Sequence, residues 1–270
     1  GDRITWSIIV ACGDCYYCHR ELPQKCQRLY KYGHAALDPE RCAGGGLADF
    51  VVLQRGTSWL RVPDQVPNGV AALGNCAGAT AAAAIRHAGG VKGQRVLVSG
   101  AGVLGVLTIA MSRRLGAREV VAIDTQPESR NRAIEFGASQ WFDASDEEVA
   151  SAVFSATDGL GADAAFEMAG NSASVETAMR LVRTGGTVLL AGTASSCDPV
   201  SFDPQGFVQR MMTLRGLHNY LPADLVTAMD ALAGEVNCRK LLAREFSLDD
   251  VPAAFDYAHS AAACRTTVVP

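Results

Sequence analysis

Val96-Leu-Val-Ser-Gly100-Ala-Gly102-Val-Leu-Gly105 places the pattern G-x-G-x-x-G directly after an apolar strand and at the opening of an apolar helix. In that context Gly100 permits a tight turn, Gly102 lets backbone approach a pyrophosphate, and Gly105 lets the helix pack closely on the strand. The amides of Val103 and Leu104 then face the phosphates from the positive end of the helix. The next apolar strand ends at Ile123-Asp124, and Asp124 lies nineteen residues past Gly105, close to the ~20 expected of the acid that holds the ribose hydroxyls. Such an acid argues for NAD. It repels a 2′-phosphate, and Thr125 beside it brings no compensating charge, while Arg130 is near enough to touch the adenosine end. The competing reading, a glycine-rich turn beside an ordinary surface aspartate, requires both halves of the pattern to coincide by chance.

Outward from this turn, apolar strands alternate with helical patterns. Strands are predicted at 95–99, 119–123, 164–167, 187–191 and 213–217, and helices at 103–115, 128–136, 147–155, 173–182 and 204–211. This alternation predicts an α/β fold, a doubly wound parallel sheet of the Rossmann type with helices on both faces. The segment before it reads differently. Ile4–Val10 and Phe50–Leu53 are β-branched and aromatic, and Gly44-Gly-Gly46 and Pro39 punctuate, so residues 4 to about 60 read as short strands and loops. The last stretch, from Leu221, carries two helical patterns and two β-rich ones, 240–246 and 266–269.

The 270 residues are 49% apolar, which suffices for a sizeable core and two domains. A net charge of -4 without long runs of either sign offers no electrostatic footprint for nucleic acid or an anionic membrane, so a small-molecule partner is expected. The apolar runs fall well short of the ~20 residues needed to span a bilayer, and no signal peptide leads the chain. A cytoplasmic setting is expected, in which nine cysteines would be thiols or metal ligands.

Four of the nine form Cys12-Gly-Asp-Cys15-Tyr-Tyr-Cys18 with Cys26, a C-x2-C-x2-C-x7-C pattern. Four thiolates folded around one tetrahedral ion suit Zn2+, and with no open position the ion would be structural. An iron–sulfur cluster and disulfides are the alternatives; the spacing lacks the trailing Cys-Pro of a ferredoxin.

With these two motifs in this order, the chain resembles the zinc-containing medium-chain alcohol dehydrogenases. Further segments carry the likeness: Gly1-Asp2-Arg3, Gly44-Gly-Gly-Leu-Ala-Asp-Phe-Val-Val52, Gly159-Leu-Gly-Ala-Asp163 and Arg183-Thr-Gly-Gly-Thr-Val-Leu-Leu-Ala-Gly192. The resemblance implies a Rossmann NAD-binding domain over 78–218 and a partial GroES-like, β-rich catalytic domain over 1–77, completed by 219–270. It implies a hydride exchanged between an alcohol or aldehyde and NAD, and a homodimer or homotetramer. It puts Cys76 at a ligand position of a catalytic zinc, where the residue alone would be read as a small buried hydrophobe. It also sets Thr80 beside the nicotinamide, Arg265 on the pyrophosphate, and Met168, Ala169, Ala191 and Leu217 along the coenzyme cleft, with Ala191 offering backbone to the carboxamide.

In that family the remaining catalytic-zinc ligands, a cysteine and a His-Glu pair, come from a segment preceding the Gly-Asp with which this chain opens. No His-Glu dipeptide occurs in the sequence. The expectation is therefore a chain that lacks most of the catalytic zinc site. Tyr30-Lys31-Tyr-Gly-His34 and Gly216-Leu-His218-Asn-Tyr220, with Ile8 and Thr193 at pocket positions, resemble a branch of the family associated with phosphonate breakdown. That likeness implies an anionic alcohol, with Lys31 and His218 meeting its charge; solvation of Lys31 and packing of His218 are the plainer reading. A zinc-free NADPH reductase of the quinone or enoyl type is one rival, opposed by the four cysteines and Asp124. A catalytically incomplete NAD-binding protein is the other.

Overall fold

The run Ile4–Val10 forms two short strands, β1 (Ile4–Trp6) and β2 (Ile9–Val10), because the chain changes partners between them. At the break the Ser7 amide donates to Ser58 and the Ile8 carbonyl accepts from Tyr32. β2 pairs antiparallel with β3 (Tyr30–Lys31), and β1 with β4 (Trp59–Arg61). Phe50–Leu53, expected as a strand, is irregular: Val51 and Leu53 pack on Val10, Tyr30 and Tyr32 while Phe50 is 84% exposed. Its side chains alternate, but its backbone joins no ladder among the described residues. A helix, α1 (Asn68–Leu73), runs through a π-helical turn at Gly74–Gly78 into α2 (Ala79–His87). The computed structural model describes residues 1–36, 43–194, 197–234, 238–259 and 264–270; Pro39 lies outside them.

Beyond α2 the strand-helix alternation becomes β5 (Arg95–Ser99), α3 (Val103–Arg114), β6 (Glu119–Asp124), α4 (Ser129–Glu135), β7 (Gln140–Asp143), α5 (Val149–Ala156), β8 (Ala162–Glu167), α6 (Ser172–Leu181), β9 (Val182–Leu190), α7 (Pro204–Gln209) and β10 (Thr213–Gly216). The six strands form one parallel sheet in the order β10-β9-β8-β5-β6-β7. Its inner strands are buried on both faces, as crossover helices require, with Leu97, Val121, Ile123, Ala165 and Val188 almost inaccessible. β7 was not among the predicted strands. Its four residues are half polar and sit at the sheet edge, half-exposed, so no apolar run announces it. Pairing with β6 and the Trp141 indole bond to Ser129 Oγ (3.0 Å) hold it in place.

The return segment contributes α8 (Pro222–Leu232), β11 (Leu242–Ser247), α9 (Val251–Ala258) and β12 (Arg265–Val269), with β11 and β12 parallel. The chain divides into two units, Gly1–Ala79 with Asn219–Pro270, and Thr80–His218. The first division lies two residues beyond the expected 77/78, since the π-turn packs on α8: a Cβ at Gly78 would stand 3.2 Å from that of Ala228. No helix among the described residues is long and apolar enough to cross a membrane.

At the N-terminal ends of β5, β8 and β9, Asp163 accepts from the Arg95 amide (2.7 Å) and from Arg183 Nε (2.5 Å). Desolvation pushes this carboxyl up, but the Arg183 hydrogen bond, the Arg95 amide and both guanidinium charges outweigh it and hold it below the usual carboxylate range. A lowered folded-state value means stabilisation present above the unfolded value and lost as pH falls through the folded one. Asp163→Asn is expected to cost about 1–3 kcal/mol at neutral pH. The gap should close below about pH 4, as measured by urea denaturation of both proteins.

Candidate coenzyme and metal sites

In the parallel sheet, strand order reverses between β5 and β8, so the crevice beyond their C-terminal ends is where a ligand belongs. The two ends are joined directly, Met168 N–H donating to the Ser99 carbonyl at 2.8 Å. A recess of about 90 Å³ opens there, lined among others by Gly100, Asp124, Thr125, Ala169, Asn171 and Ser174.

The three motif glycines differ in why they are glycines. Gly100 has φ +97°, and a Cβ on it would come 2.6 Å from the Ala169 nitrogen; a Cβ on Gly105 would come 1.8 Å from the Gly100 carbonyl oxygen. Packing therefore accounts for both. Gly102 has φ −68°, open to any residue, and a Cβ there would meet nothing within 4 Å. The protein supplies no packing reason for glycine at 102, whereas a ligand lying against that backbone does. Gly102 is also the N-cap of α3 and brings no capping side chain, which leaves the amides of the half-buried Val103 and Leu104 to an anion at the helix start. These residues fit a dinucleotide.

Asp124 closes β6 with both carboxylate oxygens engaged, Oδ2 by the Ala101 amide (2.6 Å) and Oδ1 by the Gln126 amide (2.8 Å). A carboxylate has about four lone-pair directions, so two remain for hydroxyls. Arg130 stands exposed on α4. The guanidinium that reaches the glycine-rich turn is Arg132, donating to the Ala101 carbonyl through Nε (3.2 Å) and an Nη (3.1 Å). Met168, Ala191 and Leu217 are buried just past β8, β9 and β10.

Glu167, the last residue of β8, carries no motif in the sequence, yet it is fully buried with its carboxyl group in a ring of donors. A lone acid at the end of an apolar strand, followed by Met-Ala-Gly, was the available signal.

In the other unit the Cys12, Cys15, Cys18 and Cys26 sulfurs all lie within 4.8 Å of one another, with neighbouring pairs at 3.4–4.0 Å, and all four are free thiols. Tetrahedral zinc with Zn–S of about 2.3 Å needs S···S of about 3.8 Å, so the donor set fits one such ion. The Cys12 and Arg28 amides each point at Cys26 Sγ from 3.3 Å. The Gln27 and Cys18 amides pull Cys15 down to about 6, while desolvation and then its sulfur neighbours push Cys18 up to about 11. Four thiolates at this spacing repel one another unless a cation lies between them.

Cys76 is exposed on the π-turn rather than buried. That turn is held by Tyr220, the last residue of the Gly216–Tyr220 segment that carries the branch likeness. Tyr220 is 1% exposed; its hydroxyl donates to the Asn75 carbonyl and accepts from the Ile8 amide at 3.1 Å. Burial pushes its pKa up to about 12, so it stays a donor. Among the described residues the four-cysteine lobe is the one place where three or more metal-ligating side chains converge, and Cys76 stands outside it. Lys31 is half-buried, and its chain neighbours Tyr30 and Tyr32 bring their rings edge to face at 5.1 Å. Thr80 is half-buried and Arg265, at the start of β12, is exposed.

Cys15→Ser is expected to lower bound zinc by about one ion per chain and to reduce the thermal midpoint. Metal analysis and calorimetry on the purified variant check both.

Residues 103–234 match the family model described as zinc-binding dehydrogenase. L-threonine 3-dehydrogenase of Anaeromyxobacter sp. (strain K) is 27% identical, the match covering 96% of this chain and 72% of the relative. A probable D-xylulose reductase A of Aspergillus terreus is 28% identical over 99% of this chain and 74% of its own length. An alcohol dehydrogenase from Thermotoga maritima superposes with a TM-score of 0.95 at 28% identity, covering 100% of this chain and 76% of that one. Zinc and NAD(P) are typical of such dehydrogenases. The chain is thus similar to these dehydrogenases along its length and carries the zinc-binding dehydrogenase signature over residues 103–234.

Proposed function

We propose that this chain belongs to an enzyme that moves a hydride between a small alcohol and NAD, with Asp124 selecting NAD over NADP. One observation carries the reading: an uncapped helix start and an acid closing the next strand coincide at the reversal of strand order. In the complex the Val103 and Leu104 amides hold the pyrophosphate beside Gly102. Asp124 takes the ribose hydroxyls on the lone pairs that Ala101 and Gln126 leave, and Arg130 lies at the adenosine end. Met168, Ala191 and Leu217 line the nicotinamide half, Ala191 through its backbone. Thr80 is assigned to the nicotinamide and Arg265 to the pyrophosphate on the family likeness alone. A bound nicotinamide would supply the hydride acceptor; Cys76 is assigned to a catalytic zinc on the family likeness alone, since it joins no group of three or more ligating side chains among the described residues.

The substrate we assign is an alcohol bearing an anionic, phosphonate-like group, on the strength of a half-buried Lys31 in a tyrosine-lined segment. A second reading has its own observation, that Cys76 belongs to no group of three or more ligating side chains among the described residues. It makes the 270-residue polypeptide a coenzyme-binding protein without turnover. That reading predicts about one zinc per chain, and a complete catalytic site about two; metal analysis with a turnover assay over a panel of alcohols separates them.

Asp124→Asn is expected to weaken NADH about tenfold and to reduce the preference over NADPH by at least as much. Calorimetric titration with both coenzymes checks this, and an unchanged preference would remove Asp124 from the selection. For Lys31→Ala, kcat/KM should fall about tenfold for an anionic alcohol and little for a neutral one. Equal losses on the two substrates would count against the anionic group.

A further inference from the structure

Glu167 is 0% exposed, and each partner that the structure gives its carboxylate is a neutral donor. Oε1 accepts from the Ala169 amide (2.8 Å), the Gly170 amide (2.6 Å) and Ser174 Oγ (2.7 Å), and Oε2 from the Thr193 amide (3.2 Å). The Glu167 carbonyl accepts from the Ala191 amide at 3.1 Å. A buried polar group is costly and is kept only where its hydrogen bonds are nearly complete. Here one residue gathers the backbone of two loops, 168–170 after β8 and 191–193 after β9.

Those loops lie on a definite side of the coenzyme turn. The ribose acid Asp124 ends β6, the uncapped helix follows β5, and β8 and β9 lie across β5 from β6. A dinucleotide with its adenosine over β6 and its pyrophosphate at α3 must extend its other half over the ends of β8 and β9. With the Ala169 and Gly170 amides turned toward the carboxylate, trans peptide geometry turns the Met168 and Ala169 carbonyls the opposite way, as acceptors for donors such as a carboxamide NH2.

We propose that Glu167 is a positioning residue for the nicotinamide half of the coenzyme, acting through the backbone of 168–170 and 191–193 and touching no ligand itself. The inference rests on the coenzyme reading above. It differs from a plain stabilising role in what it spares: ADP-ribose, which carries the adenosine and pyrophosphate but no nicotinamide, does not depend on Glu167.

The test is titration of the whole chain with NADH and with ADP-ribose. Glu167→Gln keeps the volume, but with its oxygen on Ala169, Gly170 and Ser174 its NH2 faces the Thr193 N–H, donor against donor. NADH should weaken about tenfold while ADP-ribose stays within about twofold. Equal weakening of both ligands, or of neither, would overturn the proposal. If Glu167→Gln does not fold, Glu167→Asp, whose shorter side chain draws the carboxyl group back from the Thr193 amide, decides by the same criterion, with an expected loss of about threefold confined to NADH. Wild-type protein that binds neither ligand would remove the coenzyme reading, and this proposal with it.

Discussion

The coenzyme turn depends on how closely α3 sits over the loop that feeds it. A single Cβ at position 105 would penetrate to 1.8 Å of the Gly100 oxygen, so helix and turn can touch only through glycine. That contact fixes where α3 begins, and with it where its unpaired amides point. It also brings Gly100 against Ala169, and thereby joins the end of β5 to the end of β8 across the reversal of strand order.

Carboxylates organise both ends of the same sheet, by different means. At the N-terminal ends Asp163 is met by the Arg183 guanidinium and the Arg95 amide, whose hydrogen bonds, with the charges of both arginines, hold its pKa low. At the C-terminal ends Asp124 and Glu167 are met by backbone amides. Amides carry no net charge, so these two carboxylates are held by hydrogen bonds and by no salt bridge among the described residues.

The other unit has less to hold it. Its strands pair only in twos among the described residues, and two-stranded ribbons are marginal in water. An ion held among the four clustered sulfurs would supply an ordering force that such short strands do not. Tyr220 does related work in the π-turn, where a lengthened helical turn leaves backbone groups that the phenol hydroxyl satisfies.

What could be read from the chain alone was whatever is local along it. The strand-helix alternation, the turn at Gly100–Gly105 with Asp124 after the next strand, and the cysteines spaced to close on one another are all set by residues within about one supersecondary unit. β7 was missed because an edge strand half exposed to water needs no apolar pattern, and Phe50–Leu53 was misread because alternation marks a half-buried segment whether or not a partner strand lies beside it. Arg132 on the Ala101 carbonyl, Tyr220 on Asn75, and Glu167 gathering Thr193 join residues 31, 145 and 26 apart. Only the tertiary structure decided these, because a side chain's hydrogen-bond partners follow from which loops the finished sheet brings to the same end, and no spacing in the sequence encodes that.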